Sequence, residues 1–242
     1  MALGEVAKEG VIRTLVSSDV VIKFHELYYG TNNLTWLNTK WRGVYLAKCP
    51  LDLWQYQEII AEKQPDVIIE TGTWHGGSAL YLRDMLRIAG KEKAIVITID
   101  TAPMGTFKDE DGVIQLIGNS CSPIIEEAAK KYIVSSDKVM VILDSDHSKP
   151  HVLAELNVWG KYVSAGHYLI VEDTNVNGNP IYTDHGPGPM EAMIEWLRGH
   201  PEFKTDEHRE RFLMTFNPKG YLKRLGGYDG GREYEIGKRI AN

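Results

Sequence analysis

Between residues 67 and 173 the apolar positions form short unbroken runs, separated by stretches of helical period. Runs at 67–70, 94–100, 113–119, 139–144 and 167–173 are rich in Val, Ile and Leu. Such runs are expected of strands buried on both faces. The intervening stretches at 76–89, 123–134 and 151–163 carry apolar residues at helical spacing. Further helices are predicted over 51–65, which Pro65 closes, and over 190–200. Residues 5–29 also repeat at helical spacing, through Val16, Val20, Phe24 and Leu27. The segment 30–50 is aromatic and turn-rich and reads as a loop or lid, and 101–113 as a polar loop. The run at 211–225 reads as a closing hairpin pair. Strands alternating with helices predict a doubly wound, mostly parallel α/β sheet with an antiparallel C-terminal strand pair. The expected division is an extension at 1–50, a main domain at 51–225 and a tail at 226–242.

Ligands in such sheets bind outside the carboxyl ends of the strands. Glu70, Asp100, Asn119, Asp144 and Asp173 all fall at those predicted ends. The most informative stretch is 67–86, VIIETGTWHGGSALYLRDML. A strand ends in Glu70, a loop follows with Gly72, Thr73, Gly76 and Gly77, and Ser78 opens a helix. Glycines there admit positive φ and a close ligand, because no Cβ intrudes. The spacing is not the dinucleotide fingerprint, and no P-loop lysine is present. Glu70 would repel a pyrophosphate but suits a cationic amine. The segment therefore reads as the first motif of an S-adenosylmethionine site. Asp100 is placed to accept the two hydroxyls of a ribose, and Gly118, Asn119 and Ser120 to frame an adenine.

A second constellation lies in LDSDH (143–147) and VEDTN (171–175). If these strands are neighbours, Asp144, Asp146, Glu172 and Asp173 crowd together. Carboxylates that close destabilise one another unless a cation sits among them. Oxygen-only ligands favour Mg²⁺ first and Ca²⁺ second. Asp146 or His147 would then take a proton from an acceptor hydroxyl. Two other chemistries compete: a D-x-D glycosyltransferase, and an iron hydroxylase using His147, His151 and an aspartate.

Composition narrows the field. The chain has 242 residues and a formal net charge of −6, which argues against nucleic-acid or anionic-membrane binding. Two cysteines, Cys49 and Cys121, imply no disulfide framework and a reducing, cytoplasmic setting. No apolar run is long enough to span a membrane, and the first residues do not read as a secretory signal. The aromatic residues Tyr28, Tyr29, Trp36, Trp41 and Tyr45 suggest a segment packed on a partner, as in a homo-oligomer, or over the site.

The stretches KCPLDLWQYQEII, VIIETGTWHGGSALYL, LDSDHSKPHVLAEL, GHYLIVEDTNVNGNP, GPGPMEAMIEWL and FNPKGYLKR resemble the cephalosporin hydroxylase family. The resemblance spans about residues 45–225. It implies a class I methyltransferase fold, with S-adenosylmethionine at Glu70, Gly72, Ser78, Asp100 and Asn119. It also implies a divalent metal held by the LDSDH aspartates with Glu172 and Asp173. The expected activity is Mg²⁺-dependent O-methylation of a small hydroxylated acceptor, such as a sugar moiety or natural-product scaffold.

Overall fold

The computed structural model describes residues 5–226 except 32, 103, 106, 109 and 110, with backbone alone for 5–10. Beyond Gly226, the expected tail lies outside the described residues. The helical stretch at 5–29 is two helices, α1 (Glu5–Val16) and α2 (Asp19–Gly30). They part at Ser17 and Ser18, whose hydroxyls donate to the carbonyls of Arg13 and Leu15. Such local bonds compete with the helix ladder and end it. A short antiparallel pair, β1 (Lys40–Trp41) and β2 (Val44–Tyr45), leads into α3 (Pro50–Lys63).

The main sheet has seven strands: β3 (Val67–Thr71), β4 (Ile95–Asp100), β5 (Val113–Ile117), β6 (Val139–Leu143), β7 (Tyr168–Val171), β8 (Phe203–Thr205) and β9 (Tyr221–Arg224). Their order is β5-β4-β3-β6-β7-β9-β8. The first five are parallel, and β9 runs antiparallel to both its neighbours. Helices α4 (Gly77–Ile88), α5 (Pro123–Lys130), α6 (Lys149–Trp159) and α7 (Pro189–Leu197) complete the layers.

Alternate side chains sort to opposite faces, as the period of a strand requires. Ile68, Val96, Met140 and Ile170 pack with Tyr56, Ile59 and Ile60 of α3 and Leu82 and Leu86 of α4. Val67, Ile69, Val141 and Leu169 pack on the other side with Leu156 and Trp159 of α6 and Met193 and Trp196 of α7. Each side chain buried this fully contributes roughly 1.5–3 kcal/mol.

The hairpin expected over 211–225 is corrected by the structure. Strand β9 pairs with 203–205, not with 211–216. The Phe216 amide and the Thr215 hydroxyl instead donate to the Asp52 carboxylate of α3. With those groups engaged, the apolar run at 212–216 buries as irregular chain.

Register places the site. Thr71 pairs with Leu143, and Leu143 with Val171. One residue further on, Gly72, Asp144 and Glu172 stand in a row at the carboxyl edge, on strands spaced about 4.8 Å apart. Backbone bonds continue into that row: Asp144 N–H to Thr71 O (3.1 Å) and Glu172 N–H to Leu143 O (2.9 Å).

Candidate functional site

The loop after β3 is shaped by what surrounds it. Gly72 has φ +86°, and a Cβ there would lie 1.8 Å from the Asp144 carbonyl oxygen. Only glycine fits. Gly76 (φ +87°) precedes α4, and Trp74 between them also has positive φ (43°). The Asp100 carboxylate anchors this loop, accepting from the Trp74 amide (2.8 Å) and the Ala102 amide (3.1 Å). Thr73 is buried, its hydroxyl 2.8 Å from that of Thr98. Ser78 is buried in the first turn of α4.

Glu70 is fully buried. Its Oε2 accepts from the Thr98 hydroxyl at 2.8 Å; among the described residues no donor meets Oε1 with hydrogen-bond geometry, although the Ser78 hydroxyl is near enough to pull the carboxyl's pKa down. Burial pushes this carboxyl up to about 7, against the opposing pull of Lys48. At the end of β5, Asn119 is exposed and accepts the Cys121 amide. Ser120 is buried and donates to Glu155 (2.5 Å), with His151 Nε2 3.1 Å from its hydroxyl.

The second constellation assembles beside Gly72. Ligand atoms of Asp144, His147 and Asp173 lie within 4.8 Å of one another. His147 Nε2 stands 3.2 Å from Asp173 Oδ2 and 4.0 Å from Asp144 Oδ1. Asp173 adopts φ +50°, and its amide donates to Asn217 Oδ1. Glu172, its neighbour, turns inward. Both its oxygens accept from the Lys48 ammonium (2.8 and 2.7 Å), and Oε1 also accepts from the Tyr56 hydroxyl at 2.9 Å. Lys48 donates as well to Asp144 Oδ2 at 2.5 Å. Burial and the Asp144 charge push the Glu172 carboxyl well up, while Lys48 holds it down. Burial likewise raises Asp173, with His147 opposing.

Asp146 stands apart from this group. It is exposed, accepts the Ser148 amide at 2.7 Å at the start of α6, and is held below the usual carboxylate range by those Ser148 bonds. His151 faces Ser120 and Glu155. His167 bonds the carbonyls of Ala165 and Lys63 at the opposite end of its strand. The paired-histidine iron site is therefore not formed among the described residues. The buried Glu70 carboxyl beside the glycine loop also opposes a phosphate-bearing glycosyl donor.

Lys48 is the functional residue that the chain pattern concealed. It lies in an irregular stretch, 96 residues before Asp144 and 124 before Glu172. The only signal was indirect: crowded acids call for a cation, and the aromatic segment 30–50 offers Lys40, Arg42 and Lys48 without saying which.

Comparison with known proteins agrees with this fold. The family model for Rhamnosyl O-methyltransferase/CmcI matches residues 33–225. The chain is 39% identical over 214 residues to a rhamnosyl O-methyltransferase of Mycobacterium tuberculosis (strain ATCC 25618 / H37Rv), covering 86% of each. It is 34% identical to the rhamnosyl O-methyltransferase of Mycobacterium leprae (strain TN), covering 86% of this chain and 92% of that protein. A solved CmcI structure with Mg and SAM superposes with a TM-score of 0.61 at 20% identity, covering 78% of each chain. That likeness concerns the fold, which is the class I methyltransferase sheet.

Proposed function

Because the chain belongs to the Rhamnosyl O-methyltransferase/CmcI family, we propose that it transfers a methyl group from S-adenosylmethionine to a sugar hydroxyl beside Mg²⁺. The observation that carries this reading is the acid cluster of Asp144 and Asp173 with His147, abutting the glycine loop at Gly72.

The residues present fit both groups. For the cofactor, the Gly72 backbone offers close approach, Glu70 a buried carboxylate oxygen, and Asp100 remaining lone pairs for a ribose. Asn119 and Ser120, past the end of β5, would border the cofactor's adenine. S-adenosylmethionine supplies a sulfonium methyl that needs alignment rather than activation. For the metal, Asp144 and Asp173 supply hard oxygens, with His147 beside them. Glu172, expected among the ligands, instead gives both oxygens to Lys48 and one also to Tyr56, and so positions the strand end. When bound, Mg²⁺ lowers the pKa of the acceptor hydroxyl and orients vicinal oxygens.

The chain's own residues do the rest. Lys48 and Tyr56 hold Glu172 in place, so the strand ends are set before any ligand arrives. The Asp100 bond to Trp74 fixes the loop that borders the methyl donor. His147 Nε2 faces the acid cluster and is placed to accept the acceptor's proton. Asp146, spent on Ser148, belongs to the helix start.

Isotope-labelled S-adenosylmethionine and methyl rhamnoside test the function. Methyl transfer is expected, and EDTA should abolish it while S-adenosylhomocysteine still binds. Full turnover after exhaustive chelation would reject the metal's role, and no cofactor binding would reject the activity.

Both cysteines are free thiols, which supports a reducing, cytoplasmic setting. Among the described residues no helix is long and apolar enough to cross a membrane. Tyr29 and Trp36 pack within the chain, on Phe216. Support for a homo-oligomer comes instead from exposed apolar side chains along α1 and α2: Val11, Leu15, Val20, Phe24 and Leu27. Sedimentation of the wild type against Phe24→Asp checks this: a monomer in both would reject it.

A further inference from the structure

An open hollow of about 550 Å³ lies between α2 and the loop that follows β7. Its walls include Glu26 and Tyr29 from the helix, and Tyr182, Asp184 and His185 from the loop. Neither wall belongs to the sheet, and neither takes part in the cofactor or metal residues described above. Yet both adjoin them. His25 of α2 stands 3.0 Å from Asn175, two residues past Asp173, and a Cβ at Gly188 would meet both the His147 carbonyl oxygen (3.3 Å) and the His185 ring (3.6 Å). The hollow thus lies next to the chain segments that carry Asp173 and His147.

Tyr182 is the unusual member. It is half-exposed at 51% although large and aromatic. Its φ is +48°, a conformation costly for a residue with a Cβ and an aromatic ring. The loop enforces it: the Tyr182 carbonyl accepts the amides of Asn177 (3.1 Å) and His185 (3.0 Å). Tyr29 fixes the ring, meeting it edge to face at 5.2 Å between centroids. Tyr29 is itself locked by stacking on Trp36 at 4.7 Å. A strained backbone therefore holds an aromatic face toward solvent, beside a site that handles hydroxyls. Strain maintained at such a place is a mark of function.

We propose that this hollow is the acceptor subsite, in which the Tyr182 ring is the platform for the apolar face of a sugar and α2 is the opposite wall. The proposal rests on the methyltransferase reading. A pyranose has one face of C–H groups, which an aromatic face covers, and a rim of hydroxyls, which needs acceptors and donors. Glu26, Asp184 and His185 provide that rim. One sugar edge can then meet the acid cluster while the ring stays on Tyr182. In this arrangement the extension before the sheet selects the acceptor, and the strand ends perform the chemistry.

Saturation-transfer NMR with methyl α-rhamnoside on protein loaded with Mg²⁺ and S-adenosylhomocysteine tests this. The wild type should transfer saturation to the glycoside ring protons. Tyr182→Ala should lose most of that signal, and Tyr182→Phe should keep it, since the ring face and not the hydroxyl is used. With labelled cofactor, Tyr182→Ala should raise the acceptor KM tenfold or more with kcat changed far less. Binding of S-adenosylhomocysteine and Mn²⁺ should be unaltered in that variant, and because Tyr182 is half-exposed the same calorimetry confirms that it is folded. Equal signal from wild type and Tyr182→Ala, or no signal from the wild type, would overturn the subsite. Failure of the methyltransferase reading shows separately, as a wild type that binds no S-adenosylhomocysteine.

Discussion

Replacing Lys48 by Met removes the one ammonium that binds Asp144 and both oxygens of Glu172. Met retains most of the stem's packing, so the perturbation is electrostatic. Lys48 is 3% exposed and Glu172 6%, so solvent cannot take over the lost contacts. Breaking one side of a buried pair costs about 3–5 kcal/mol, a large share of the roughly 5–15 kcal/mol that holds a domain folded. In urea, with a slope of about 1–3 kcal/mol/M, the midpoint should fall by roughly 1 M or more. The loss should depend on pH. Burial and Asp144 already raise the Glu172 carboxyl, and Lys48 opposes them. Without Lys48 the folded-state pKa climbs further above the ordinary 4.5. The native state then binds more protons than the unfolded chain, so stability falls as pH rises through that folded value. The deficit should be small near pH 4.5 and larger at pH 8. The assay is urea unfolding in EDTA at both pH values, for Lys48→Met, Glu172→Gln and the double variant. Coupling of about 2 kcal/mol or more is expected at pH 8, since partners in one buried network are non-additive. A deficit under about 1 kcal/mol, in the range of exposed pairs, would refute the reasoning. So would a deficit indifferent to pH, or strictly additive single changes.

Other consequences are equally open to measurement. Asp173→Asn should weaken Mn²⁺ binding tenfold or more by calorimetry, whereas Asp146→Asn should leave it within about twofold, its amide oxygen still accepting from Ser148; the reverse pattern would move the metal. Glu70→Gln should flatten the pH dependence of cofactor-free stability. The Glu70 carboxyl stands at about 7 against an ordinary 4.5, so the wild type should lose about 3 kcal/mol relative to the variant as pH rises from 4.5 to 7. Parallel stability curves for the two proteins would contradict that. Gly72→Ala should abolish cofactor binding and lower stability by more than about 2 kcal/mol, because its Cβ would meet the Asp144 carbonyl; a normal melting temperature with intact binding would show that the loop yields.

The sheet was legible because its strands are buried on both faces and announce themselves as unbroken Val/Ile/Leu runs. The acids at their ends were legible for the same reason: parallel strands bring their carboxyl ends to one edge. Apolar character misled at 211–225. Met214 and Phe216 are buried, but against His25 and Tyr29 of α2 rather than in a sheet. Burial alone does not distinguish a strand from a loop whose amides bond a distant carboxylate. Asp146 was attractive because it forms a D-x-D with Asp144, but a residue between two strand-end acids in sequence can point elsewhere in space. Tyr182 carried no periodic signal at all, since a conformation forced by two backbone hydrogen bonds leaves no trace in hydrophobic pattern.

The long reach of Lys48 bears on how the chain must fold. Its partners follow it by 96 and 124 residues, and every parallel pairing between them closes a loop before it is repaid by contact. Such non-local topologies fold slowly and pass through incomplete sheets. Until β6 and β7 have docked, Lys48 has no counter-charge and Glu172 no reason to leave water. The reactive edge is thus among the last parts to dehydrate. A nascent chain that lacks residues 139–172 has no place to capture a divalent ion, so metal-binding competence and completion of the sheet arrive together.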